Sequence, residues 1–496
     1  MTNHHLVLLP ILLPLTASAV ALLLRRRPRV QAAWALCAMV TSLAFSLLLL
    51  LQVWRGQQAV VFQTGGWAAP WGISLVGDYL SVTLVVMSQI VLSMGILYAL
   101  GSNDSVVKYP GFYPLFLTLA TGLSGALLTG DLFNLFVFAE LMVFSGTILT
   151  ACSDDRYGTE AAFKYFYISL VGSTSLLLGV GCLYVSYGAT NMASLASGIM
   201  ADPQKPLVPL AIAFLMTTFM IKSAVVPFHF WQPDFHTAAP TPVHAVLSSV
   251  VVKLGLYGFM RMTSLLFLAQ ADTVRGILLV TGIIGVFYGG LGATGTYDAK
   301  RMLAYSTIGQ IGFILVALGW GTPLAMMAAI VFAFNHSLIK SAMLMLAGTV
   351  ASRARVKTAA FQAITGLGKY MPFTGLLFLI GGLALAGVPP TNGFISKLVL
   401  FRSGIEAEQY TALLLIGLAS ILTLVYIVRA FQAIWWQPPA PEALVKPAGD
   451  RLLAPALLIG TVLVLGLWPE PLIRLAEITA AWLGSPDGYI HAVLGG

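Results

Sequence analysis

The chain has 496 residues, of which 58% are hydrophobic and only 9% are charged, and its mean hydropathy is +0.90. Because soluble globular chains carry about 25% charged residues, this composition excludes an ordinary soluble protein and indicates an all-α membrane protein that crosses the bilayer many times. The formal net charge of +8 does not indicate a nucleic-acid partner, since an excess of basic residues in short loops is a normal consequence of membrane topology.

Fourteen stretches are apolar and long enough to be transmembrane helices, which need about 20 residues each. In chain order they lie near residues 5–24, 31–53, 77–100, 111–129, 131–151, 163–187, 207–226, 242–267, 274–295, 301–320, 323–349, 372–401, 410–436 and 452–476. The cationic run at residues 25–29 follows the first stretch, so we expect a retained helix and not a cleaved signal peptide. The longest polar connections, near 54–76, 188–206, 350–371 and 437–451, are too short for a separate soluble domain.

The distribution of basic residues predicts the orientation of these helices. If the first interhelical loop faces the cytoplasm, fifteen basic residues fall in inner loops and five in outer loops. The inner set is Arg25, Arg26, Arg27, Arg29, Lys108, Arg156, Lys164, Lys300, Arg301, Arg353, Arg355, Lys357, Lys369, Lys446 and Arg451. The outer set is Arg55, Lys205, Arg275, Arg402 and Arg474. This bias predicts that both termini face outward from a bacterial inner or plasma membrane.

Two of the apolar stretches are interrupted by proline and glycine. The first interruption follows Lys222 and contains Pro227; the second covers residues 383–393 and is followed by Lys397. Paired broken helices are typical of inverted-repeat transporters, and their breaks mark the transport site. We therefore predict two inverted five-helix repeats, helices 4–8 and 9–13, each broken at its fourth helix. The predicted parts of the chain are residues 1–110 (helices 1–3), 111–267 (first repeat), 274–436 (second repeat) and 437–496 (helix 14).

Glu140 is the carboxylate that the sequence places deepest in the membrane, about nine residues from either end of its predicted helix. An isolated buried carboxylate takes up a proton, whereas a lysine within about 4–6 Å keeps it charged. We predict that Lys222 is this partner and that the strength of the pair decides which residue holds the proton. The alternative is a static ion pair that joins two helices, although an apolar pair of similar size often stabilises a protein equally well.

Four further ionisable residues lie in apolar stretches, namely Lys253, His336, Lys340 and Lys397. His336 and Lys340 are four positions apart, so they share a helix face and can pass a proton directly or through water. Because removal from water disfavours the charged form of lysine, such a residue can change between charged and neutral forms as its neighbours change. With Glu140 and Lys222 this row predicts a proton path within the membrane.

A second candidate group surrounds the first break and consists of His229, Asp234, His236 and His244. Their spacing matches no metal-ligand pattern, so we expect them to line a hydrated vestibule or to bond backbone carbonyls that the break releases. Arg261 and Arg429 lie nearer the helix ends, and we expect their side chains to extend toward the membrane surface. The three cysteines, Cys37, Cys152 and Cys182, are expected to be small apolar side chains.

The sequence does not predict a nucleotide-binding site. Gly290 to Gly295 fits the pattern GxGxxG, but this run ends a predicted membrane helix and follows no strand, so it does not predict a dinucleotide site. The sequence contains no GxxxxGK(S/T) motif, which argues against ATP hydrolysis by this chain. We expect no cofactor and no resident metal.

Four segments together resemble one family. They are residues 130–142 around Glu140, the stretch from Lys222 to Lys253, residues 334–340 with His336 and Lys340, and the second broken helix with Lys397. In this order they resemble the antiporter-like family, which comprises proton-pumping membrane subunits of respiratory complex I, related hydrogenases and Mrp multisubunit cation/proton antiporters. The D-type Mrp subunits fit best, because the complex I N-type subunit usually has lysine in place of Glu140 and the M-type subunit usually has glutamate in place of Lys397.

The resemblance implies a subunit of a hetero-oligomeric complex, with other Mrp subunits as partners, that exchanges Na⁺, Li⁺ or K⁺ for protons. It identifies Glu140, Lys222, Lys253 and Lys397 with the family's helix-5 glutamate and its helix-7, helix-8 and helix-12 lysines. One alternative is a proton-pumping subunit of a complex I-like or hydrogenase-like assembly; another is an assembly scaffold with structural charges. Because Na⁺ prefers oxygen ligands, a path rich in lysine is expected to carry mainly protons.

Overall fold

The structure is a computed structural model. It describes residues 4–153, 155–354, 358–438, 446 and 449–495. Two of the basic residues assigned to inner loops, Arg355 and Lys357, lie outside these ranges, as does part of the polar connection at 437–451.

Three helices and a β-hairpin form the N-terminal part. The helices are α1 (Leu9–Leu23), α2 (Pro28–Gly56) and α3 (Tyr79–Leu100). The strands β1 (Val60–Gln63) and β2 (Ser74–Gly77) pair antiparallel, with Val60 opposite Gly77. The sequence predicts a plain polar connection here and not a hairpin, because strands of four residues are too short to show a clear alternation.

The middle of the chain forms eight helices in which the first break lies. They are α4 (Phe112–Leu128), α5 (Leu132–Ala151), α6 (Arg156–Tyr187), α7 (Met192–Ala201), α8 (Val208–Lys222), α9 (Trp231–Ala238), α10 (Thr241–Val246) and α11 (Lys253–Arg261). The Asp131, Asp155 and Asn191 side chains accept backbone N–H bonds at the starts of α5, α6 and α7, which is the usual way to satisfy a helix N-terminus. The polar connection predicted at 188–206 therefore contains a short helix.

The rest of the described chain forms ten further helices. They are α12 (Ala271–Gly295), α13 (Ala299–Trp320), α14 (Pro323–Arg353), α15 (Phe361–Ile364), α16 (Pro372–Ala386), α17 (Asn392–Glu406), α18 (Tyr410–Phe431), α19 (Leu453–Leu467), α20 (Glu470–Leu483) and α21 (Asp487–Leu494). Single 3₁₀ turns cover His4–Leu8, Thr64–Gly66, Val106–Lys108, Leu268–Gln270 and Leu367–Lys369. π-Helical turns cover Leu247–Val251, Met262–Leu266 and Gln432–Trp436.

The fold is a polytopic helical membrane fold. Within the described residues, ten helices are long and apolar enough to cross a membrane, or up to twelve if each of two bent pairs counts as one span. The predicted number of fourteen is not confirmed by this criterion, since α4 and α8 are shorter apolar helices. The predicted single helix at 452–476 is wrong: α19 and α20 meet at an angle of 76°, because Pro469 and Pro471 cannot continue a helix.

Both sequence-predicted breaks are present. Residues 223–230 separate α8 from α9, and residues 387–391 separate α16 from α17. Each break contains a cis peptide bond before proline, at Pro227 and at Pro390. The breaks leave helix ends inside the bundle, where backbone carbonyls need partners.

Two spans form the centre of the bundle. The span Thr241–Leu266, which comprises α10, α11 and two π turns, and α14 are buried along their whole apolar length. Around α14 lie α3, α13, α16, α17, α19 and α20. Side chains on these two spans are therefore shielded from lipid on all sides by protein.

The helices α12 and α13 pack closely through glycine. A Cβ at Gly289 would collide with the backbone of Gly309, and one at Gly312 would collide with the backbone at Gly282. Small residues at such contacts allow helix backbones to approach each other. Gly290 and Gly292, from the GxGxxG match, lie in the same helix against Leu422 and Tyr305, so these glycines serve helix packing.

Candidate functional site

The first break brings Glu140 and Lys222 together. Lys222 is the last residue of α8, and its Nζ lies 3.9 Å from Oε1 of Glu140 on α5. Ser173 on α6 donates a hydrogen bond to the same carboxylate oxygen. The Lys222 and Glu140 side chains are 4% and 16% exposed, and Lys222 Nζ has no hydrogen-bond partner among the described residues. The predicted partners are thus adjacent, in a loose ion pair.

Lys253 is the first residue of α11, and the first break contacts this end of the helix. Ser223, in the break, donates from Oγ to the Val252 carbonyl at 3.0 Å, which ties the end of α8 to the start of α11. Lys253 Nζ lies 2.8 Å from Nδ1 of His336 on α14, and both side chains are buried. A π-helical turn precedes α11, and such turns are frequent at functional sites.

Lys340 lies one turn beyond His336 on α14 and is fully buried. Its Nζ donates to the Leu303 carbonyl at 3.1 Å and to Ser306 Oγ at 2.7 Å. Ser306 Oγ in turn lies 2.6 Å from the Tyr426 hydroxyl. The two α14 residues therefore contact different partners, although they share a face as predicted. Sequence reasoning missed Ser306 and Tyr426, because single hydroxyls in apolar helices give no pattern.

Lys397 lies on α17, after the second break. Its Nζ donates to the carbonyl of Ala386, the last residue of α16, at 2.8 Å, and lies 5.3 Å from the centre of the Phe313 ring. A cation at a helix C-terminus is favoured by the partial negative charge there. Lys222 ends the helix before its break, whereas Lys397 follows its break, so the two lysines do not occupy equivalent places relative to the breaks.

A small cavity separates His336 from Lys397. Both side chains line it, together with Gln310 and Ser396, and its volume is about 10 Å³, roughly what one water molecule needs. Beside it, Asn335 donates to Ser396 Oγ at 2.9 Å and accepts from Asn392 at 2.9 Å. This amide pair joins α14 to the start of α17. The sequence did not predict it, since the partners are 57 positions apart.

The second candidate group does not form a single cluster. His236 and His244 are buried and stack with ring centres 5.4 Å apart, and no nitrogen of either ring has a hydrogen-bond partner among the described residues. His229 lies against Tyr288 instead. Asp234 bonds Lys164 at 3.2 Å and Arg301 at 3.1 Å. In the described ranges no group of three or more His, Cys, Asp or Glu residues could hold a metal ion.

An open cavity of about 340 Å³ lies next to these histidines. It is lined by residues 237–241, which connect α9 to α10, and by the side chains of Asp155, Asp298 and Lys300. The four candidate residues predicted to line a vestibule are not in its wall. The connection that carries His236 on one side and His244 on the other forms part of that wall.

A buried ion pair that the sequence did not predict lies near the other end of α11. Arg261 is 3% exposed, and it contacts Asp78, which is 0% exposed, through two hydrogen bonds of 2.8 and 2.7 Å. The prediction that Arg261 extends to the surface is therefore wrong, because a buried carboxylate satisfies the guanidinium inside the protein. Arg429 is partly buried; it donates to the Thr296 carbonyl and lies over the Tyr297 ring.

Comparisons with known proteins complete the description of the site. A family model described as "NADH:quinone oxidoreductase/Mrp antiporter, TM" matches residues 129–423. The D subunit of the Na(+)/H(+) antiporter of Alkalihalophilus pseudofirmus is 30% identical over 99% of each chain. The N subunit of the NADH-quinone oxidoreductase of Desulforudis audaxviator is 33% identical over 95% of this chain and 97% of its own. A chain in the structure of the Mrp complex from Dietzia sp. is 28% identical, with a TM-score of 0.91 over 100% of both chains.

Proposed function

This chain belongs to the NADH:quinone oxidoreductase/Mrp antiporter family of transmembrane proteins, and from that premise we propose that it is the proton-translocating subunit of a multisubunit Na⁺/H⁺ antiporter. The antiporter D subunit of Alkalihalophilus pseudofirmus and the Mrp complex of Dietzia sp. support this assignment over nearly the full length of the chain. In this role the chain is a secondary transporter subunit, and its partners are the other subunits of an Mrp complex.

The observation that carries the proposal is the row of buried ionisable side chains through the centre of the bundle. It begins with the Glu140–Lys222 pair at 3.9 Å and continues to the contact of Lys253 with His336 at 2.8 Å. The cavity beside His336 then leads to Lys397. Nothing in ordinary helix packing requires so many buried cations, since each one costs free energy in a membrane.

The proposed mechanism begins when a proton reaches Glu140. The neutral carboxyl no longer attracts the ammonium of Lys222, so the loose pair opens and the charge of Lys222 acts on Lys253. Lys253 and His336 share a short contact, and two cations so close in a buried site repel each other. The Lys253–His336 pair therefore carries at most one positive charge. A new positive charge nearby displaces the proton that carries it toward the cavity and Lys397. Lys340, one turn from His336 on α14, receives the proton beside this path.

The finer architecture is part of the proposal. The chain is proposed to have fourteen spans and two inverted repeats, with parts at 1–110, 111–267, 274–436 and 437–496 and with both termini outside a bacterial plasma membrane. The two breaks support the repeats, and the loop charges support the orientation. The transported ions are protons on this path and Na⁺, Li⁺ or K⁺ in the whole complex.

A second candidate is a proton-pumping subunit of a redox-driven complex. The 33% identity to the N subunit of an NADH-quinone oxidoreductase favours it, and the same row of side chains would serve both functions. The genes next to the one that encodes this chain distinguish them: small antiporter subunits favour exchange, whereas dehydrogenase or hydrogenase subunits favour redox coupling.

The experiment is Na⁺/H⁺ exchange in inverted membrane vesicles that contain the assembled complex. We expect Glu140→Ala and Lys222→Ala to abolish exchange at unchanged assembly. Glu160→Ala is the matched control, because Glu160 is an exposed carboxylate paired with Lys164 on the surface of α6. Normal exchange by the Glu140 and Lys222 variants, as in the control, contradicts the proposal and supports a scaffold role for the buried charges.

A further inference from the structure

The buried pair of Asp78 and Arg261 lies outside the proton path, but Arg261 is on the same short helix as Lys253, whereas Asp78 precedes α3. Lys253 is the first residue of the nine-residue helix α11 and Arg261 is the last. At 1.5 Å per residue, the two positions are about 12 Å apart along the axis. Each end of α11 thus has one polar anchor, namely His336 at the start and Asp78 at the end.

The Asp78 carboxylate is fully satisfied. Its Oδ1 accepts from Arg261 Nη2 at 2.7 Å and from the Ser81 backbone N–H at 2.9 Å. Its Oδ2 accepts from Arg261 Nη1 at 2.8 Å and from Trp482 Nε1 at 3.1 Å. The guanidinium lies between the rings of Tyr257 and Tyr489, with centres 5.1 and 4.9 Å away. A bidentate pair with these contacts fixes the orientation of a side chain as well as its position.

Both neighbours of α11 are π-helical turns, at Leu247–Val251 and Met262–Leu266. A π turn holds one more residue than an α turn. Because each residue corresponds to about 100° around a helix axis, a shift of one residue at either turn would rotate Lys253 away from His336. The backbone ladder alone therefore does not set the rotation of α11.

The face of α11 toward α8 makes packing contacts without charge, including an edge-to-face contact between Phe259 and Phe219. Gly255 and Gly258 lie on that face, against Ser223 and Phe219. Glycine permits close approach there and thereby favours one packing face of α11, but it supplies no polar contact that directs the helix. The bidentate bond at Arg261 is the strong directional contact on α11 outside the proton path.

We propose that Asp78 and Arg261 are positioning residues for Lys253: their ion pair fixes the rotation of α11 and thereby holds the Lys253 ammonium at His336. Trp482 and Tyr489, from the C-terminal helices α20 and α21, hold the pair in place. The proposal rests on the proposed function, because it assigns the pair an effect on proton transfer through Lys253.

The test uses the assembled complex in inverted vesicles, with the maximal rate of exchange and the half-saturating Na⁺ concentration measured separately. The main variant is the double substitution Asp78→Leu/Arg261→Met, because apolar replacement of a whole buried pair is often neutral for stability. We expect the maximal rate per assembled complex to fall about 10- to 100-fold, as small misplacements of a reacting group do. We expect the half-saturating Na⁺ concentration to change little and the melting temperature to fall, because Asp78→Leu also removes the acceptor of the Ser81 N–H and of Trp482 Nε1.

Arg261→Lys keeps the charge but loses the bidentate geometry, so it should lose part of the rate. It also tests the proposal if the double variant does not assemble. The matched control is Arg429→Met, which removes a partly buried arginine of α18 that is far from α11 in the chain and stacks on Tyr297; it should keep the wild-type rate.

An unchanged maximal rate in both Asp78/Arg261 variants overturns the inference and leaves the proposed function intact. A fall in the amount of complex with a normal rate per complex also overturns it, because that result means a purely structural pair. If the wild-type complex shows no exchange at all, the proposed function itself fails.

Discussion

Comparing a variant that lacks the charge of Glu140 with one that lacks the charges of both Glu140 and Lys222 should separate function from stability. The two side chains are nearly buried and their charged atoms are 3.9 Å apart. At an effective dielectric constant of 20, an attraction over this distance is about 4 kcal/mol. This agrees with the roughly 3–5 kcal/mol that is lost when one partner of a buried pair is removed. Glu140→Gln leaves Lys222 without a counter-charge and Ser173 with a weaker acceptor.

We expect Glu140→Gln to lower the melting temperature of the complex in detergent and to abolish exchange in inverted vesicles. The double variant Glu140→Gln/Lys222→Met removes both charges, so it should recover most of the lost stability, but it should still not exchange. The charge-preserving variant Lys222→Arg is the control for size and charge at the second position: it should keep the stability but exchange slowly, because arginine does not release its proton.

Two results would refute this reasoning. If the double variant recovers exchange along with stability, the pair serves structure and the proton passes elsewhere. If Glu140→Gln exchanges normally while it is destabilised, the charge of Glu140 has no part in transport.

Three further predictions concern the proton path and the packing of the bundle. His336→Gln should slow exchange at least tenfold by removing the group that shares a proton with Lys253, whereas Asp234→Asn, at a partly exposed ion pair, should change exchange less than about twofold in the same vesicles. Ser306→Ala should destabilise the complex by about 1–3 kcal/mol, measured by thermal unfolding, because it leaves the Lys340 ammonium short of an acceptor. Gly289→Leu should prevent stable assembly, seen as loss of the complex on native gels, since no side chain fits between α12 and α13.

Much of the helical architecture was predictable from the sequence, because apolar length alone identifies spans. The breaks at Pro227 and Pro390 were also predictable, since proline has no N–H to continue a helix. The hairpin before α3 and the bend at Pro469 were not predicted. Strands of four residues are too short to show a clear alternation, and at Pro469 the apolar pattern continues on both sides of the bend.

The candidate site was predictable where a charged residue lies in an apolar stretch, because burying a charge in a membrane costs free energy and therefore indicates a function. Glu140 and Lys222 are such residues, and their proximity agrees with the prediction. Arg261 was misjudged because its partner Asp78 is 183 positions away and precedes a helix, where a carboxylate normally serves as a cap. Asp78 does cap α3 through Ser81. Because capping alone accounts for a carboxylate at this place, nothing in the sequence indicated the ion pair.

The positions of the lysines explain how a lysine can be buried without being fixed in one protonation state. Lys222 ends a helix, Lys397 donates to the carbonyl that ends α16, and Lys253 follows a π turn. Helix C-termini carry about half a negative charge, which attracts an ammonium more weakly than a carboxylate does. Arg261, in contrast, has a full counter-charge in Asp78, and an arginine does not release its proton. A helix end, a neutral imidazole or a loose carboxylate leaves each lysine able to gain or release a proton when its neighbour changes. Helix breaks therefore supply the intermediate stabilisation that a proton path through a membrane requires.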